Sequence, residues 1–155
     1  MNEKYAVRFD IDDHHYYAIW YTGDKDGFVT ENGSIVYFTE IDDLFHYAES
    51  RRILINEGIT YFNATQILHN TETITDCDTV LDFWNIISDI SASLRIKFTG
   101  DDKTYNTEYA KLVSGCNLNS LEHDRCIPNF TTEEEDNIKK IIIEGYNILC
   151  KVFCP

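Results

Sequence analysis

The chain has 155 residues, 43% hydrophobic and 14% aromatic, which suits one domain able to bury roughly two-thirds of the surface its unfolded form exposes. Its 27 acidic residues outnumber 13 basic ones for a formal charge of -14, a field that repels nucleic acid. No run nears the ~18 apolar residues of a membrane span, MNEKYAVRF lacks a signal peptide's apolar core, and five irregularly spaced cysteines argue against a disulfide framework, so a cytoplasmic chain with free thiols is expected.

In chain order, Tyr5, Val7 and Phe9 alternate with Ala6, Arg8 and Asp10, and HYYAIWY resumes an aromatic and β-branched run after the acidic patch, which predicts a hairpin. Gly23 to Gly27 carries turn chemistry, Phe28 to Thr30 adds a little extended structure, Asn32-Gly33 is a further turn signal and Ser34 to Phe38 reads as another strand. The first third is thus an antiparallel meander. Thr39 offers a helix cap with Glu40, Asp42 and Asp43 in the first turn; Ile41, Leu44, Phe45, Ala48 and Ile55 share a face, and Gly58 is the expected stop. Residues 59–75 show no clear period.

A second helix begins near Asp78, with Val80, Phe83, Trp84, Ile87, Ile90 and Leu94 on one arc and Asp82, Asn85, Asp89 and Ser93 on the opposite stripe. A third is announced by Thr131-Thr132-Glu133-Glu134-Glu135 and runs to about Phe153, with Gly145 allowing close approach on its apolar face. The expected class is α+β: an amino-terminal antiparallel meander sheet packed by about three amphipathic helices in a single domain, residues 1–155.

The stretch Asp10-Ile11-Asp12-Asp13-His14-His15 holds the densest set of metal-ligating types. In one continuous strand Asp10, Asp12 and His14 would converge, the basis of a metal-dependent hydrolase; aspartates are depleted in strands, however, and Asp12-Asp13 reads better as a turn. Asp24-Lys25-Asp26-Gly27 begins like a calcium loop, but the position for its bidentate glutamate is Gly33. Cys116, His123 and Cys126 lack a Cys-x-x-Cys pair for zinc, and Cys150 and Cys154, one turn apart, read as packing thiols. His14, His15, His46, His69 and His123 stand in no nucleophile signature and no glycine-rich phosphate loop occurs. The expectation is a protein without catalytic residues, metal or cofactor that works by its surface.

Leu81-Asp82-Phe83-Trp84-Asn85-Ile86-Ile87-Ser88-Asp89 with Ser93-Leu94, followed by Tyr109-Ala110-Lys111-Leu112-Val113-Ser114-Gly115-Cys116-Asn117-Leu118, resembles immunity proteins of bacterial contact-dependent growth inhibition systems. The motif residues are Trp84, Asn85, Asp89, Lys111, Gly115 and Asn117; the chain departs from the pattern with Asn119 where proline is expected. The resemblance spans about Asp78 to Phe153 and implies a small cytoplasmic protein that neutralises one cognate toxin carboxy-terminal domain, commonly a nuclease. An acidic inhibitor suits the basic cleft of such an enzyme. Toxin contacts are expected from Asp12, Asp13, Asp24 and Asp26 in loops and Asp42 and Asp43 at a helix start, with Tyr17 or Trp20 as an anchor or else buried in the sheet. Asn85 and Asp89 either touch the partner or bond a neighbouring segment such as Gly115 to Leu118. A general acidic scaffold with no toxin is the remaining alternative.

Overall fold

The period-two alternation at the amino terminus becomes two long strands, β1 (Glu3–Ile11) and β2 (His14–Thr22), paired antiparallel from Glu3 opposite Thr22 to Ile11 opposite His14. The computed structural model describes residues 2–70, 76–117 and 128–154, with side chains excluded at 116 and 117. Asp12-Asp13 is the two-residue turn between the strands, and Asp12 takes φ 52°, a left-handed conformation that aspartate tolerates better than most residues. Strands β3 (Gly27–Phe28) and β6 (Tyr37–Phe38) both pair with β2. Between them β4 (Thr30–Glu31) and β5 (Ser34–Ile35) form a small hairpin on Asn32-Gly33, whose φ values of 53° and 80° fit the mirror-image turn that matches strand twist. The expected strand Ser34 to Phe38 is therefore divided between two sheets.

Helix α1 (Ile41–Ser50) starts one residue later than a Thr39 cap requires, at Glu40, and ends at Arg51 rather than Gly58. Leu44 and Ala48 are buried, but Phe45 is 45% exposed, and Ile55 packs nearby from outside the helix. The chain then returns as β7 (Ile59–Asn63), parallel to β1. The antiparallel meander of the first third is present as expected, and β7, from the segment without a clear period, adds one parallel edge pair, so that the sheet order is β3-β2-β1-β7. A crossover through α1 makes that geometry possible.

Five α-helices are present among the described residues. Besides α1 these are α2 (Ala64–His69), α3 (Cys77–Leu94), α4 (Asn106–Asn117) and α5 (Thr132–Phe153). Asp76 caps α3 through Thr79 N–H, and Thr131 with Glu134 forms the reciprocal capping box at the start of α5. Helices α2 and α4 were not expected. The buried positions of α4 mix Leu112 with Glu108 and Gly115, so the segment carries little apolar period.

Alternation gives the sheet two faces. Val7, Phe9, Tyr16, Ala18, Phe28 and Phe62 join α3, α4 and α5 in the main core, whose centre is Phe9, with ring centroids 6.2, 5.7 and 5.2 Å from Phe28, Phe62 and Phe153. Gly145 lets α5 close on α3, since a Cβ there would lie 3.0 Å from both Ile87 and Phe83. On the other face Ala6 and Ile19 pack with Leu44 and Ala48 of α1 in a smaller cluster.

Candidate functional site

The polar stripe of α3 faces the edge of the sheet, with Asp82 still open to solvent. A cleft of about 530 Å³ lies between them, walled by Trp20 and Asp26, by Thr60 and Phe62 of β7, by Asp82, Asn85 and Asp89 of α3, and by Tyr109 of α4. The Trp20 indole donates to Asp89 Oδ2 at 2.9 Å, and the Tyr109 hydroxyl donates to Asn85 Oδ1 at 2.8 Å. Behind them Ser93 Oγ accepts from Phe28 N–H and donates to the Asp89 carbonyl. These bonds tie one helical stripe to β2, β3 and α4.

Its charge is one-sided. Asp26, Asp82 and Asp89 line it, and no lysine, arginine or histidine does so among the described residues. Burial pushes the Asp89 carboxyl up to about 6, against the Trp20 hydrogen bond, with Asp26 and Asp101 adding repulsion. Asp82, although exposed, is raised as well, by partial desolvation and then by repulsion from Asp78 and Asp76. A folded state that holds Asp89 above its ordinary value binds an extra proton between the two values. Stability consequently falls as pH rises through about 4 to 6, and the full cost stands above that window. Asp89→Asn keeps an acceptor for Trp20 while removing the charge. It is expected to raise stability by about 1–2 kcal/mol near pH 8, a figure discounted for partial solvent contact, and to leave it unchanged near pH 4. Urea titrations at the two pH values measure this; an equal gain at both would mean that charge is not the cause.

The opposite end of the β1–β2 hairpin holds a different arrangement. Asp10, 7% exposed, accepts from Arg8 Nε at 2.8 Å, His15 Nδ1 at 2.8 Å and Tyr61 Oη at 2.8 Å, and the Arg8 guanidinium lies over the Tyr61 ring. Burial alone would raise Asp10, but the bonds from Arg8, Tyr61 and His15 outweigh it and hold the carboxyl below its usual range. The expected turn at Asp12-Asp13 is present, and the alternative, a convergence of Asp10, Asp12 and His14 on one strand face, is not. That grouping assumes one continuous strand, whereas a two-residue turn puts Asp10 opposite His15 and sends Asp12 to Thr65 and Tyr146. Among the described residues no group of three or more His, Cys, Asp or Glu side chains is arranged to hold a metal.

The other sequence candidates are dispersed. Asp12 and Asp13 sit at one hairpin end, Asp24 and Asp26 at the other, roughly 30 Å away along nine residues of strand, and Asp42 and Asp43 are exposed in the first turn of α1. Only Asp26 lines the cleft, where its carboxylate also accepts from Gly23 N–H. Trp20 is half-buried and forms a cleft wall; Tyr17 packs toward α1 on the other face. Of the motif residues, Trp84 is buried, donates to the Gly100 carbonyl at 3.1 Å and meets Tyr109 edge-on. Asn85 bonds Tyr109 and Asp89 bonds Trp20, while most side chains of the Gly115 to Leu118 segment expected as their neighbour lie outside the described residues.

Lys111 reaches Glu134 at 2.7 Å and the Asn129 carbonyl, joining α4 to the start of α5. At Gly115 a Cβ would meet Cys77 Sγ at 2.8 Å and Pro128 Cδ at 2.9 Å, so close packing requires the glycine. Asn117 ends α4; its side chain, the Cys116 thiol, Asn119, His123 and Cys126 lie outside the described residues. Cys150 and Cys154 are free thiols, and Cys154 bonds the Tyr16 hydroxyl. Sequence reasoning saw the Asp82, Asn85, Asp89 stripe but missed its pairing with Trp20 and Tyr109. No local signal marks that pairing, because Trp20 lies 69 positions from Asp89 and Tyr109 lies 24 from Asn85. No family model, curated protein or solved structure matches the chain.

Proposed function

We propose that this chain is the immunity protein of a bacterial contact-dependent growth inhibition system. It binds its cognate toxin carboxy-terminal domain, a nuclease, in the cytoplasm and neutralises it by covering the enzyme's basic active-site cleft, with no bond making or breaking of its own. The observation that supports this reading is the cleft at the sheet edge: three carboxylates, two aromatic walls and no cation among the described residues. Natural chains seldom keep an acid raised by burial beside other acids, at a cost in stability, unless a task requires it. A lysine or arginine entering between Trp20 and Tyr109 would supply the missing charge. The -14 field would draw such a partner in, because opposite fields raise association rates by up to ~1,000-fold at low salt.

The test is direct. Mixed with the toxin domain encoded immediately upstream, the purified chain is expected to abolish its nuclease activity and to form a complex that survives gel filtration, with an association rate that falls as salt rises. Failure to associate at low salt would refute the proposal.

A further inference from the structure

A local departure from the chain's acidity lies on the outer side of α5. Two adjoining depressions of about 510 and 460 Å³ share Ile96, Ile148 and Lys151, and so form one trough between the end of α3 and α5. Its floor is apolar, with Ile143 47% and Ile96 45% exposed. Its rim carries Lys97, Lys140 and Lys151, all exposed and none ion-paired among the described residues. The acid on that rim, Glu144, is turned to Thr99, accepting from its N–H at 2.9 Å and from its hydroxyl. A chain of net charge -14 thus presents a local cationic frame around uncovered isoleucines.

We propose that this trough is a docking surface for an acidic amphipathic helix of a protein partner. Lys140 and Lys151 lie eleven positions apart on α5, about 16 Å at 1.5 Å per residue, which is the length of three helical turns. An apolar face at i, i+3, i+4 and i+7 covers the exposed Ile96 and Ile143, while glutamates or aspartates beside it meet the lysines. A second copy of this chain brings a whole charge of -14 and an anionic bilayer an extended negative surface, each a larger opposing charge than the few carboxylates of one helix, which reach the lysines directly, so both are disfavoured as occupants. The trough shares no lining residue with the acidic cleft, and the inference does not depend on the toxin reading.

The experiment uses the full chain and a synthetic amphipathic peptide of about three to four turns, leucines at helical spacing flanked by glutamates, followed by fluorescence anisotropy. The glutamate peptide is expected to bind at least about 10-fold more tightly than its lysine-flanked twin. The combined Lys97→Glu, Lys140→Glu and Lys151→Glu variant, and Ile143→Asp separately, should each weaken it by at least about 10-fold with the unfolding midpoint preserved, since these side chains are exposed. Asp82→Lys, in the other cleft, should leave peptide affinity no weaker. Equal binding of both peptides, indifference to the lysine variant, or no binding at all would overturn the proposal. So would capture of anionic vesicles through these lysines, or self-association abolished by Ile143→Asp, each of which assigns the trough to another occupant.

Discussion

Phe9→Ala is expected to cost about 3–5 kcal/mol, because the ring is fully buried and its loss opens a cavity where the sheet meets α3 and α5. That is a large share of the roughly 5–15 kcal/mol that holds a typical domain together, and corresponds to a fall in Tm of roughly 10–15 °C. Phe28, Phe62 and Phe153 converge on this ring from β3, β7 and the last turn of α5, so three distant segments lose a contact at once. Phe45→Ala is the comparison: a phenylalanine 45% exposed on α1 should cost about 0.5 kcal/mol or less. Urea titration reads both as changes in midpoint at constant slope. Similar costs at the two positions would mean that the core is not centred on Phe9.

The second large effect concerns association. Asp82→Lys combined with Asp89→Asn removes two of the cleft's three acids and introduces a cation at its mouth. Affinity for the toxin domain is expected to fall by at least about 100-fold, near 2.7 kcal/mol, with a slower association rate and a flatter salt dependence. The fold should survive: Asp82 is exposed, and the amide oxygen introduced by Asp89→Asn would still accept from the Trp20 indole. Circular dichroism and the unfolding midpoint check that point. Unchanged affinity in a folded variant would move the interface to another acidic surface, the Asp12-Asp13 turn or the Asp42 and Asp43 turn of α1, and reversals there would then locate it.

The legible parts of the fold were those specified by residues close in sequence. Thr131 and Glu134 cap α5 three positions apart, Asn32-Gly33 supplies two left-handed residues side by side, and the alternation from Tyr5 to Tyr21 already separates the two sheet faces. The parallel strand β7 was opaque because its five residues pair with β1, more than fifty positions earlier, and nothing local distinguishes them from a loop. Helix α4 was opaque because it is held through Leu112, Tyr109 and Lys111 reaching other elements, not through a continuous apolar stripe. The Asp10 cluster shows how one turn redirects chemistry: two residues between strands suffice to trade His14 for His15.

By itself the sequence determined the α+β class, the acidity, the long hairpin and the helices α3 and α5, because hydrophobic period, capping and charge are properties of neighbouring residues. Only the tertiary structure decided which acids share a site. Asp26 belongs to a turn and Asp82 and Asp89 to a helix more than fifty residues later, and they become one cleft because burying the aromatic arc of α3 under the sheet swings its polar stripe against Trp20. The same packing leaves Lys97, Lys140 and Lys151 framing isoleucines on the outer side of α5. Proximity of that kind follows from how helices close on a sheet, and no window of the chain contains it.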